Sequence, residues 1–129
     1  ESGSSILATA TFFGGVGTVR HDYTGTASEI TNAAATGNLG TVNITGLQCG
    51  GCLNLQATGD WQIEGFNQGT NEEGFWFFLS VNNTNFVGTL FDDDATATTT
   101  DRMRLVNEMD WRGGACQALV YYANTRWRV

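Results

Sequence analysis

Leu53-Asn54-Leu55-Gln56-Ala57-Thr58-Gly59-Asp60-Trp61-Gln62-Ile63-Glu64-Gly65-Phe66 alternates between apolar and polar side chains almost without fault. Leu53, Leu55, Ala57, Trp61 and Ile63 fall on one parity, with Gly59 the only gap. Asn54, Gln56, Thr58, Asp60, Gln62 and Glu64 fall on the other. A period of two sustained over this length marks a β-strand with one buried and one polar face. At the usual rise it would extend on the order of 45 Å, so a bend or bulge is expected at Gly59.

Composition points the same way. The 129 residues include no Lys and no Pro, against 17 Gly, 18 Thr and 11 Asn. Thr favours strands, and Gly and Asn favour the turns between them. Further alternating or apolar runs cover residues 6–13, 17–26, 39–47, 74–81, 86–91, 102–111 and 115–129. One segment breaks the pattern. Thr26-Ala27-Ser28-Glu29 has the form of a capping box, and residues 28–35 are expected to make a short helix over one end of the sheet. Short connections between successive strands favour antiparallel neighbours. The expected architecture is therefore a single all-β domain, residues 1–129. It is an antiparallel sandwich, jelly roll or up-and-down barrel of about eight strands, with no evident internal repeat.

The formal net charge is −7 and the pI about 4.3. Six scattered Arg form no basic stripe, which argues against nucleic acid and an anionic membrane surface as partners. No apolar stretch approaches transmembrane length, and Glu1 does not begin a signal peptide, so a mature product is expected. Abundant Thr, Gly and Asn suit an extracellular or cell-surface setting. The sequons Asn43-Ile44-Thr45 and Asn82-Asn83-Thr84 are compatible with it.

No motif names a function, and each chemical constellation has a plainer reading. Cys49-Gly50-Gly51-Cys52 invites a zinc site, but only Cys116 and His21 remain to complete four ligands. The plainer expectation is a disulfide from Cys49 or Cys52 to Cys116, leaving an odd thiol able to cross-link subunits. His21 is the only histidine, so a structural hydrogen-bonded role is favoured over catalysis. Asp60 and Glu64 lie roughly 13 Å apart along a strand, too far for either glycosidase geometry. Glu108 and Asp110 fit the inverting separation at about 7 Å, as almost any i, i+2 pair would, and pairing with Arg102, Arg104 or Arg126 is the commoner fate of such charges. Asp92, Asp93, Asp94 and Asp101 are weak Ca²⁺ candidates without EF-hand spacing.

The aromatic cluster carries more weight. If Phe75, Phe77, Leu79 and Val81 face the core, then Trp76 and Phe78 must face outward. Such a surface docks onto an identical subunit or stacks against sugar rings. The N-terminal run up to Phe12 and Phe13 can pair in its own sheet or complete a neighbour's by strand addition. These features lead us to expect a non-enzymatic structural or adhesive protein without cofactor that associates with itself. Its interface candidates are Trp76, Phe78 and Phe12, with Asp60, Gln62 and Glu64 on the polar face of the long strand. The alternative is a carbohydrate-binding module that uses the same aromatics on an extracellular glycan. A secreted glycoside hydrolase built on Glu108 and Asp110 comes third.

Overall fold

The computed structural model describes the backbone at residues 4–12, 15–23, 25–82, 85–111 and 116–129, and side chains at 25–82, 85–111 and 117–129. Among the described residues it contains eleven strands and no helix. β1 (Ser4–Phe12) and β2 (Gly15–Tyr23) pair with each other as a two-stranded antiparallel sheet. β3 (Ala27–Asn38) and β4 (Thr41–Asn43) precede the long strand β5 (Leu47–Ile63), which β6 (Gly65–Asn67) follows. Then come β7 (Trp76–Asn82), β8 (Gly88–Leu90), β9 (Met109–Trp111), β10 (Cys116–Ala123) and β11 (Arg126–Arg128).

β5 is the organising strand, and its alternation extends further than residues 53–66 suggest. Its odd-numbered residues are buried from Leu47 to Ile63, apart from half-buried Gly59, while none of its even-numbered residues is. The irregularity expected at Gly59 is present: two steps along β3, Ala35 to Gly37, match four along β5, Ala57 to Trp61. A β-carbon at Gly59 would meet the Thr36 hydroxyl of β3, so a larger residue there requires that side chain to turn away. A second bulge lies at Cys49-Gly50-Gly51-Cys52, where Glu29 has moved two residues from Ala27 while its partner has moved five. The glycine pair therefore bulges a continuous strand and does not make a turn between two.

The sheet is mixed, which corrects the antiparallel expectation. β3 runs parallel to β5 along one edge, and β7 and then β8 run parallel to it along the other. Antiparallel pairs lie outside this centre, at β7–β10, β10–β11 and β8–β9. Parallel neighbours need long crossovers. Here the crossovers carry short strands of their own, since β4 and β6 pair in parallel as a small second sheet. The chain thus coils: Ile30 lies beside Leu53, 23 positions on, and Leu53 beside Leu79, 26 positions on. The result, among the described residues, is a curled mixed sheet, in effect a half-barrel, with a small second sheet.

The helix expected at residues 28–35 is strand β3. Its alanines have helical propensity, yet ladder hydrogen bonds to the edge of β5 outweigh a preference worth only tenths of a kcal/mol per residue. Glu29, the reading's cap residue, instead accepts hydrogen bonds from Thr31 Oγ1 and Asn54 Nδ2.

The concave side holds the core, with Leu53, Leu55, Trp61, Ile63, Phe66, Phe77, Leu79, Val120 and Trp127 almost fully enclosed. Trp127 meets Phe66, Phe75, Phe77 and Tyr122 edge to face, and its indole N–H donates to the Phe66 carbonyl at 2.7 Å. The loop between β8 and β9 packs beside it through bridges from Arg102 to Gly65 and from Met103 to Trp127.

Candidate functional site

β7 sorts its side chains as its alternation requires. Phe75, Phe77, Leu79 and Val81 are buried, and Trp76 and Phe78 turn to the convex side. β10 pairs antiparallel to β7 and sets Leu119 opposite Phe78 and Tyr121 opposite Trp76. Phe78, Leu119 and Tyr121 are 43%, 47% and 40% exposed. The rings of Trp76 and Phe78 are 5.5 Å apart and perpendicular. Together with Glu73 and Gly74 these four side chains line a shallow hollow of about 500 Å³.

Sequence reading found half of this face and missed Leu119 and Tyr121. The signal was there. Residues 118–122, Ala-Leu-Val-Tyr-Tyr, are apolar or aromatic on both parities, as residues 75–79 are. Two such strands paired side by side leave one face of each outside the core.

The two described cysteines flank this region differently. Cys49 is buried and Cys52, beside Phe78 on the neighbouring strand, is half-buried; both are free thiols. The expected disulfide is therefore not formed, since it required one of them. The bulge sends Cys49 into the core and Cys52 to the convex face. The side chain of Cys116 lies outside the described residues. Burial, and then the nearby charge of Glu29, push the Cys52 thiol up from its ordinary range, while a backbone hydrogen bond at Ser80 works the other way.

The polar candidates stand elsewhere. Asp60 is exposed and accepts the Val87 amide at 2.9 Å. Gln62 is exposed between Asn38 and Thr89, and Glu64 accepts from Asn38 Nδ2 at 2.6 Å. Asp60 is eight residues beyond Cys52 along β5, on the order of 25 Å of strand. None of the three therefore joins the aromatic face. Phe12 closes β1 opposite Gly15; its side chain, with that of His21, lies outside the described residues.

The acidic candidates are satisfied by the protein. Asp93, at φ 47°, draws Arg102, Arg104 and Arg126 within 3.4–3.7 Å, so these arginines converge on Asp93 and not on Glu108 and Asp110. Asp92 accepts the Leu105 amide, and Asp94 accepts both the amide and hydroxyl of Thr96. Those bonds hold the Asp94 carboxyl below the usual carboxylate range. Asp101 is buried and accepts from Asn67 Nδ2, Asn71 Nδ2 and Thr98 Oγ1. Among the described residues no group of three or more His, Cys, Asp or Glu is placed to hold a metal ion. Glu108 and Asp110 are exposed beside a hollow of about 560 Å³ that also includes Arg104 and Arg128, and Asp110 accepts from Thr89 Oγ1. No protein-family pattern, curated protein or solved structure matches the chain.

Proposed function

We propose that the chain is a non-enzymatic structural or adhesive module of an extracellular or cell-surface setting. It associates with copies of itself through the convex face of β7 and β10. The observation that carries this reading is the contiguous apolar surface of Phe78, Leu119 and Tyr121 around half-buried Trp76. Scattered exposed apolar residues are ordinary, but four across two paired strands form a patch of the kind that interfaces use as anchors.

The glycan-binding reading has thinner support. A sugar-stacking site needs an open ring face with hydroxyl-binding groups beside it. Here the two rings are perpendicular, and Asp60, Gln62 and Glu64 are remote. Both carboxylate oxygens of Glu73, on the rim, accept the amides of Asn124 and Thr125.

Light scattering across a concentration series tests the proposal. The native chain should form oligomers, and Phe78→Ser should raise their dissociation constant about tenfold or more without unfolding the sheet. A native chain that stays monomeric throughout sinks the self-association reading. Retention on a glycan array that Trp76→Ala abolishes would replace it with the sugar-binding one.

A further inference from the structure

Among the described residues four large apolar side chains stand exposed: Phe78, Leu119, Tyr121 and Val106. The first three belong to the aromatic hollow on β7 and β10. Val106 does not, and at 97% exposed it is barer than any of them. A lone exposed apolar residue is ordinary on a protein surface. What sets Val106 apart is how it is held and where it stands.

The loop that carries it is anchored on both sides. The Arg104 amide donates to the Trp127 carbonyl at 2.7 Å, and the Leu105 amide donates to Asp92 at 2.8 Å. Leu105 and Met109 pack against the core, and Met109 begins β9. Val106 thus projects from a bend whose neighbours are fixed, so covering it costs little further ordering. It also stands on the side of the aromatic hollow, because Tyr121 lines both that hollow and the one of about 560 Å³ that Val106 borders. One strand lies between them. Arg128 of β11 pairs with Tyr121, and Met103 bridges to Trp127 along the outer edge of β11. At the usual strand spacing that edge is about 10 Å from Tyr121. Held there with its side chain in solvent, Val106 does not fill the hollow of its own chain.

We propose that Val106 of each chain seats in the aromatic hollow of a second copy, about a two-fold axis that closes a dimer. This rests on the self-association reading and adds to it the surface that the partner presents. An apolar projection and an apolar hollow side by side on one face are self-complementary. A two-fold rotation sets each projection against the other copy's hollow, and the contact closes. On opposite faces the same two features would build an open fibre. Charge agrees with the seating. The Arg104 side chain, two residues before Val106, is 55% exposed beyond its contact with Asp93. Glu73 is the charged residue that lines the hollow. Docking brings this guanidinium toward that carboxylate, between two chains that each carry a net charge of −7.

Light scattering across a concentration series tests this with two variants and their mixture. The native chain should reach twice the mass of one chain and stop there. Val106→Ser should raise the dissociation constant about tenfold or more, the same loss expected of Phe78→Ser. Its denaturation midpoint should stay that of the native chain, because the side chain is almost wholly in solvent. Val106→Ser keeps the hollow and loses the projection, and Phe78→Ser does the reverse. A dimer of either variant alone retains neither contact, whereas a mixed dimer retains one of the two. Mixing them should therefore produce dimer at concentrations where each alone is monomeric. A native chain that stays monomeric sinks self-association itself, and this dimer with it. Oligomers that form equally well in Val106→Ser overturn the seating of Val106 while leaving the aromatic face as an interface. So do a mixture that restores nothing and a mass that grows past the dimer.

Discussion

The indole of Trp76 lies over Gly50: a β-carbon on that glycine would stand 3.3 Å from the ring. Gly50 has φ 82° and sits in the bulge at the start of β5, so both backbone and neighbour disfavour a side chain. Gly50→Ala is expected to cost about 1–2 kcal/mol, the usual price of left-handed backbone in an L residue. It should also tilt Trp76 and shift tryptophan fluorescence. A urea titration followed by that fluorescence checks both, and an unchanged midpoint with unchanged emission would show that the bulge relaxes around the methyl group.

Asp101 ties two loops to the core. Its carboxylate receives Asn67, Asn71 and Thr98, while its own carbonyl accepts the Phe66 amide. Asp101→Ala removes the buried acceptor shared by half-buried Asn67 and Asn71 and by exposed Thr98, with only Asn71 keeping a second acceptor in the Thr100 carbonyl. The expected loss is about 3 kcal/mol, at the level of a hydrogen-bonded charged group. Chemical denaturation should show it as a lowered midpoint at constant slope; a changed slope would instead report a loosened native state.

Sequence alone made the class of fold legible and hid its topology, for reasons that particular residues display. β5 could be read because one of its faces is buried along nearly its whole length, which writes a period of two into residues 47–63. β7 could be read for the same reason, and with it the outward aim of Trp76 and Phe78. β3 could not. Apart from Ala35 its side chains are half-buried or exposed, so tertiary pairing and not burial makes residues 27–38 a strand. β4 and β6, three residues each, are too short to carry a pattern, yet they make the parallel crossovers possible. The site was half-legible. The run 118–122 is apolar on both parities and so marks Leu119 and Tyr121 as outward-facing, but that they join Trp76 and Phe78 depends on β10 lying beside β7, a pairing that no local pattern encodes.

Gly88 is obligatory where β8 meets β5. It pairs with Trp61, and a β-carbon there would overlap the Trp61 indole, itself buried and edge-on to Trp111 at 5.9 Å. Gly88→Ala should destabilise by roughly 1–3 kcal/mol, the range for overpacking a filled core. Thermal unfolding checks this. A melting temperature equal to that of the native chain would mean that Trp61 has a second rotamer open to it.

Alkaline pH should weaken the fold through two groups. Burial pushes up the phenol of Tyr122, with Glu73 and Asp101 adding to it, and burial followed by Glu29 pushes up the thiol of Cys52. Both groups are neutral when protonated. Below the ordinary thiol range neither state has lost a proton, and their contribution to stability is complete. As pH rises above about 9, the unfolded chain ionises first while the folded chain holds its protons, so stability falls until the raised folded-state values are passed. Denaturation midpoints should therefore decline as pH rises through the ordinary thiol and phenol ranges. At pH 8, peptide-resolved alkylation should find Cys52 slower than a free thiol, and Glu29→Gln should speed it roughly two- to threefold by removing the neighbouring negative charge. A Cys52 that reacts as fast as a free thiol, or that ignores Glu29→Gln, would mean that water and not protein surrounds the sulfur.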